Sequence, residues 1–242
     1  MSKHTGSISI RDTIKTSLGL SIRNIKAVFC IALAMMFIPI ILSFSFINNE
    51  TSLKQALYYG LASFTWGILL SPGLFRSSLK LLEIERFSLR DLLPESWITF
   101  VRFVSAYFLI RLIVIIGYIF LFIPGLIFQV KLQYTLWLIK DKQYGVVRAM
   151  KKSWEMTRGL TLKLMLLNLI IGLLYIPIML VAAIITIVLI ILSKIINADP
   201  SLAKILVIDL FLGYFLVFTL LSIGLTYKKI QLTKSEVSAI EV

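Results

Sequence analysis

The chain is 242 residues long, 59% hydrophobic and 15% charged, with 25 Lys and Arg against 12 Asp and Glu for a formal net charge of +13. An ordinary soluble domain is roughly 45–50% apolar and 25% charged, so this balance excludes a soluble enzyme domain and makes the bilayer the natural solvent. One cysteine, Cys30, and one histidine, His4, exclude a disulfide framework or a clustered Cys/His metal site within one chain, and no cofactor is expected.

Residues 1–26 are polar and basic, yet Ile10, Ile14, Leu18, Ile22 and Ile25 recur at helical spacing, with Arg11, Lys15 and Arg23 off the stripe. This pattern predicts an amphipathic helix in the headgroup plane, apolar face down. No small-residue cleavage site follows a short apolar core, so the first apolar run is a retained helix. Uncharged apolar runs occupy 27–49, 55–75, 112–130, 164–193 and 210–227. A crossing needs about 20 residues at 1.5 Å each, and every run meets or nearly meets that length.

The stretch 103–139 is too long for one crossing, and Ile123-Pro124-Gly125 lies near its middle. Proline cannot continue a helix ladder and glycine tolerates tight turns. A hairpin is expected, with one helix over about 103–122 and a shorter return over about 126–139. In 144–158, Val147, Met150 and Trp154 form an apolar stripe, Arg148, Lys151, Lys152 and Glu155 face away, and Gly159 suits a C-terminal cap. This predicts a second surface helix, with Trp154 at the interface and Arg148, Lys151, Lys152 and Arg158 toward anionic headgroups. Leu92, Trp97 and Phe100 hint at a third, interrupted by Pro94.

The thirty residues 164–193 suit either one tilted, proline-broken helix or two short ones. Charge decides between them. Residues 1–26 carry five basic residues and one acid, 76–102 five and four, 140–163 seven and two, and 228–242 three and two. Six passes place all four segments on one side, as the positive-inside rule requires; a seventh would put Lys228, Lys229 and Lys234 outside. The expectation is an all-α, polytopic bundle of about six transmembrane helices. It comprises a cytoplasmic amphipathic helix (1–26), a membrane domain (27–227) that includes surface helix 144–158, and a cytoplasmic tail (228–242). The run 164–193 is then one helix bent at Pro177, and both termini are cytoplasmic. The basic residues serve orientation and lipid headgroups, and no basic helix outside that setting suggests nucleic acid. Ser17-Leu18, Ser96-Trp97 and Ser153-Trp154 precede membrane helices at similar places, which fits either a repeated surface-helix-plus-hairpin unit or coincident patterning.

Ile123-Pro124-Gly125-Leu126, followed by Ala149-Met150-Lys151-Lys152-Ser153-Trp154-Glu155-Met156-Thr157-Arg158-Gly159 and an apolar helix, resembles the glycerophosphoryl diester phosphodiesterase membrane-domain family and related bacterial integral membrane proteins. The resemblance covers about 60–178 and is most specific from Ser153 to Gly159. It implies a six-helix protein of the bacterial inner membrane with a role in envelope or membrane homeostasis. The hydrolytic domain of fused members, rich in acids and histidines, is not matched by these residues.

Hydrolysis or group transfer needs a nucleophile with a base, paired carboxylates or a metal site, and no local motif supplies one. Glu83, Glu85, Asp91 and Glu95 form an acidic cluster read as a solvated face paired with Arg86 and Arg90. Arg111, Lys131 and Asp209 interrupt apolar runs, where a charge is costly unless it snorkels, pairs or faces water. From the expected helix ends, Lys131 and Asp209 both fall about 7 Å inside the outer edge, and Arg111 nearer the inner side. Lys131 and Asp209 form either a structural ion pair or part of a polar cavity that admits a solute or proton. The chain is thus expected to be a non-enzymatic membrane protein, with a small transporter or transporter subunit as the alternative. Convergence of the three charges on one hydrated cavity decides between them.

Overall fold

The computed structural model describes residues 9–46, 53–83, 87–195 and 201–240, and all regular structure among them is helical. The elements are α1 (Ile10–Arg23), α2 (Ile25–Phe46), α3 (Leu53–Leu82), a single 3-10 turn (Leu89–Leu92), α4 (Trp97–Phe120), α5 (Phe122–Leu132), α6 (Thr135–Lys142), α7 (Val146–Thr157), α8 (Thr161–Ile195) and α9 (Ser201–Ile240). Among the described residues, four spans are long and apolar enough to cross a membrane: Trp97–Phe120, Phe122–Lys142, Thr161–Ile195 and Phe211–Thr233. A fifth is reached if α1 and the start of α2, which meet at 85°, count together. Among the described residues the protein is all-helical, with four to five apolar helices able to span a bilayer.

α1 begins where the Ser9 side chain accepts from the Asp12 N–H at 3.3 Å and ends at Asn24, whose amide donates to the Leu20 carbonyl at 3.1 Å. The helix has three faces rather than the expected two. Thr13, Ser17 and Ser21, at i, i+4 spacing, are buried, and α1 packs on α9. The Thr13 and Ser17 hydroxyls are satisfied by carbonyls four residues back, so small side chains allow close approach at little polar cost. Leu18, Ile22 and Ile25, three members of the predicted stripe, are left exposed.

The hairpin expected around Ile123-Pro124-Gly125 exists, but its corner is Leu121 alone, in extended conformation at φ −161° and ψ 139°. Pro124 lies in the first turn of α5, where a missing N–H removes no helical bond. α4 starts at Trp97, earlier than the apolar run, so Trp97 and Phe100 belong to it rather than to a separate surface helix. The return leg is broken in two at Gln133–Tyr134, which no proline or glycine marks. α8 runs unbroken through Pro177, as the charge argument required. α9 continues to Ile240, so the expected tail is helical over most of its length.

Among the described residues, two apolar clusters hold the bundle. Val28 and Ile31 of α2 pack with Leu70 and Leu74 of α3 and Val217 and Leu221 of α9. Tyr134, Trp137 and Ile139 pack with Ala149 of α7, Leu164 of α8 and Tyr227 of α9. α9 therefore serves both clusters.

Candidate functional site

The sequence around Ser153 is explained by the break between α5 and α6. Ala149, Ser153 and Thr157 lie one turn apart on α7 and are fully buried against the broken leg. The Ser153 hydroxyl donates to the Lys131 carbonyl at 2.7 Å and accepts from the Tyr134 N–H at 3.2 Å. It thereby serves one carbonyl and one amide that flank the break. Thr157 returns its hydroxyl to the Ser153 carbonyl at 3.0 Å. Gly159 follows at φ 80°, a left-handed conformation that suits glycine, in keeping with the expected cap. The face α7 turns to the protein is therefore Ala149/Ser153/Thr157, while Val147 is exposed and Met150 and Trp154 lie to one side.

Trp154 receives the Lys131 ammonium 5.2 Å from its ring centroid and lies 6.0 Å from the Phe128 ring. Together with Ile113 of α4 and Leu132, Met150 and Lys151, these rings line a groove of 470 Å³. Lys131 lies about 14 Å from the first residue of α5 by helical rise, twice the expected depth, because α5 begins earlier than expected. Its described interaction is a cation–π contact. Asp209 lies on α9, but its side chain, and with it the Lys131–Asp209 pairing, falls outside the described residues.

Arg111 lies past the midpoint of α4 rather than on its inner side, because α4 starts at Trp97. Its guanidinium sits 5.2 Å from the Tyr107 ring centroid, and it lines a cavity of 340 Å³ with residues of α2, α3, α6 and α9. Arg111 and Lys131 thus stand over different rings, Tyr107 and Trp154, and the cavity that Arg111 lines does not include Lys131. The structure does not bring these two charges together.

What it does bring together is a knot of charges at the end of the bundle where α3, α6 and α9 meet. Arg76 bonds Glu95 at 2.7 Å and approaches Asp91 at 3.5 Å, Lys80 bonds Asp91 at 2.9 Å, and Lys140 bonds Glu95 at 2.7 Å. The side chains of Asp91 and Lys140 are only 5% and 4% exposed. Burial opposes ionisation of Asp91, but hydrogen bonds from Lys80 and the Ser88 N–H, with the charges of Lys80 and Arg76, hold its carboxyl below the usual range. The Lys140 hydrogen bond chiefly does the same for Glu95 against its own burial. Beside them, Tyr227 donates to Asp141 at 2.8 Å, Gln231 donates to Tyr227 at 2.6 Å, and Lys228 bridges Asp141 and Glu83.

The described members of the acidic cluster, Glu83, Asp91 and Glu95, are therefore paired across the fold rather than with Arg90. Asp91 and Glu95 are tied to cations of α3 and α6, while Glu85 and Arg86 lie outside the described residues. Local i, i+4 spacing carries no trace of partners on other helices. Among the described residues, no group of three His, Cys, Asp or Glu is placed to hold a metal ion. No protein-family model, curated protein or solved structure matches the chain.

Proposed function

We propose that this chain is a non-enzymatic, multi-pass protein of a bacterial cytoplasmic membrane, built as three helical hairpins (α2–α3, α4–α5/α6, α8–α9) whose six inserted helices start and finish on the basic side. α1 and α7 are surface helices on anionic headgroups, both termini are cytoplasmic, and the role is in envelope or membrane homeostasis. The bacterial setting and the role come from the resemblance around Ser153-Trp154. One observation favours the structural over the transport reading: Arg111 and Lys131 stand against separate aromatic rings, and the cavity lined by Arg111 does not include Lys131. Intramembrane charges of a transport site converge on a shared polar cavity. The 85° corner between α1 and α2 supports a helix that lies flat before a helix that crosses.

Two measurements test this. In a Cys30→Ser background, Asn49→Cys and Asp199→Cys should react with an impermeant maleimide from outside, and Lys142→Cys and Ser235→Cys only from inside. Outside labelling at 235 defeats the topology. For the role, a deletion strain should be hypersensitive to membrane-active peptides, and Arg111→Gln expressed at the normal level should restore resistance. Failure of a well-expressed Arg111→Gln protein to do so favours the transport reading, for which the Arg111 cavity is the natural site.

A further inference from the structure

We infer that the α4–α5 hairpin does not cross the membrane but enters from the basic side and turns within the hydrocarbon, as a re-entrant hairpin whose tip is Phe120-Leu121-Phe122-Ile123. This rests on the three-hairpin reading above and changes what its middle member does. Three independent features carry it.

The first is chemistry at the turn. The sequence at the far ends of the other hairpins is polar: 47–54 holds Asn48, Asn49, Glu50 and Lys54, and 196–204 holds Asn197, Asp199 and Lys204. Between Arg111 and Lys131 there is no charged residue at all. The five residues Ile119 to Ile123 are apolar and 67–79% exposed on the protein, so whatever surrounds the tip must itself be apolar.

The second is length. Phe75, Phe103 and Trp137 form one aromatic layer, with centroid distances of 5.2 and 4.9 Å from Phe75 to its two neighbours, and Gly224 lies against Trp137. From this layer, helical rise carries α4 about 26 Å to Phe120 and the α6–α5 leg about 24 Å back to Leu121. It carries α3 about 33 Å to Leu53 and α9 about 34 Å to Ser201. The middle hairpin is shorter than its neighbours by more than the ~6 Å of one headgroup layer.

The third is polar satisfaction of Leu121, the one residue between the helices. Hydrocarbon accepts irregular backbone only where its polar groups find partners. Here the connection is one residue long. The Leu121 N–H donates to the Gly117 carbonyl at 3.1 Å, the Gly125 N–H donates to the Leu121 carbonyl at 3.4 Å, and Pro124 has no N–H to satisfy. The Tyr118 hydroxyl donates to Gln129 Oε1 at 2.7 Å, joining the two legs. A turn in water has no need of such economy.

A re-entrant hairpin returns to the side it left, so the basic segments stay where the positive-inside rule places them, and charge counting cannot tell four crossings from six. The test is a Leu121→Cys variant in the Cys30→Ser background, labelled with impermeant maleimide in intact cells and inverted vesicles. A nitroxide on the same cysteine reads oxygen against nickel-chelate accessibility, with lipid-facing Leu180→Cys as reference. The expected result is loss of labelling from both sides and an oxygen-to-nickel ratio equal to that of Leu180→Cys. Labelling from outside at the rate of Asn49→Cys, or a nickel accessibility matching Asp199→Cys, overturns the re-entrant turn and leaves the three hairpins intact. If Asn49→Cys and Asp199→Cys themselves resist outside labelling, the three-hairpin reading falls and takes this proposal with it.

Discussion

Ser153 stands in for ladder contacts interrupted where α5 ends and α6 begins, using a single hydroxyl for one carbonyl and one amide. Ser153→Ala leaves both without that partner in a fully buried setting, a loss of about 1–3 kcal/mol. It should lower the midpoint of thermal unfolding in detergent clearly more than Ser96→Ala, whose side chain makes no cap hydrogen bond; an unchanged midpoint shows that the break is closed by other means. Lys131 offers a second test at this scale. A double-mutant cycle with Lys131→Met and Trp154→Leu should give a coupling of about 0.5–2 kcal/mol, and strict additivity would remove the cation–π contact from the account. The Ser-Trp stretch was visible in the sequence as a pattern, but its purpose was not. That purpose depends on a helix break at Gln133–Tyr134, and those residues are ordinary helix formers without a breaker beside them.

Whole helices were far easier to read, because an uncharged run of twenty residues has few other fates. α8 passing through Pro177 and the helix before the first apolar run both follow from such patterns. Faces and corners did not follow so well. On α1 the hydroxyl stripe Thr13/Ser17/Ser21 is weaker in hydropathy than the isoleucines beside it, yet it is what α9 contacts. At the middle hairpin the Pro-Gly pair marked the neighbourhood of the turn, since proline is favoured just inside a helix start. Gly117 and Gly125 set how closely the two legs approach. A Cβ on Gly125 would come within 2.4 Å of the Tyr118 ring, whereas one on Gly60 would meet nothing within 4 Å. Gly125→Ala should therefore destabilise by about 1–3 kcal/mol through overpacking, and Gly60→Ala should be neutral or stabilising by up to about 1 kcal/mol. Thermal unfolding of the two variants in one detergent checks the contrast, and equal effects would refute the close approach.

Across the whole molecule, one end is held by charge. Asp91 and Glu95 have carboxyl pKa values depressed by folding, so their stabilising contribution is fully present above the unfolded-state value near about 4. It is lost as pH falls through the lower folded-state values. The unfolding midpoint should stay level from neutral pH to about 5 and drop below that, and Asp91→Asn should lower the neutral-pH midpoint while flattening the acid limb. An acid limb as steep in Asp91→Asn as in the unaltered protein would place the sensitivity elsewhere. Charge counting by segment grouped 76–102, 140–163 and 228–242, and ion pairs do join these three stretches. It did not foresee that Arg76, Lys80 and Lys140 are engaged with buried or half-exposed carboxylates, because those partners meet only when α3 and α6 are packed.

The same end of the bundle has an order of completion imposed by synthesis. Glu95 meets Lys140 as soon as α6 has emerged, but Asp141 waits for Tyr227, Lys228 and Gln231, and Glu83 waits 145 residues for Lys228. Until α9 arrives, Trp137 lacks Gly224 and Tyr227 against its ring, and both apolar clusters lack a wall. A ribosome that stalls before the last helix therefore leaves an inserted chain with an open seam and carboxylates short of cations. Such a product differs chemically from the finished protein at the end of the bundle where Glu83 and Asp141 await Lys228.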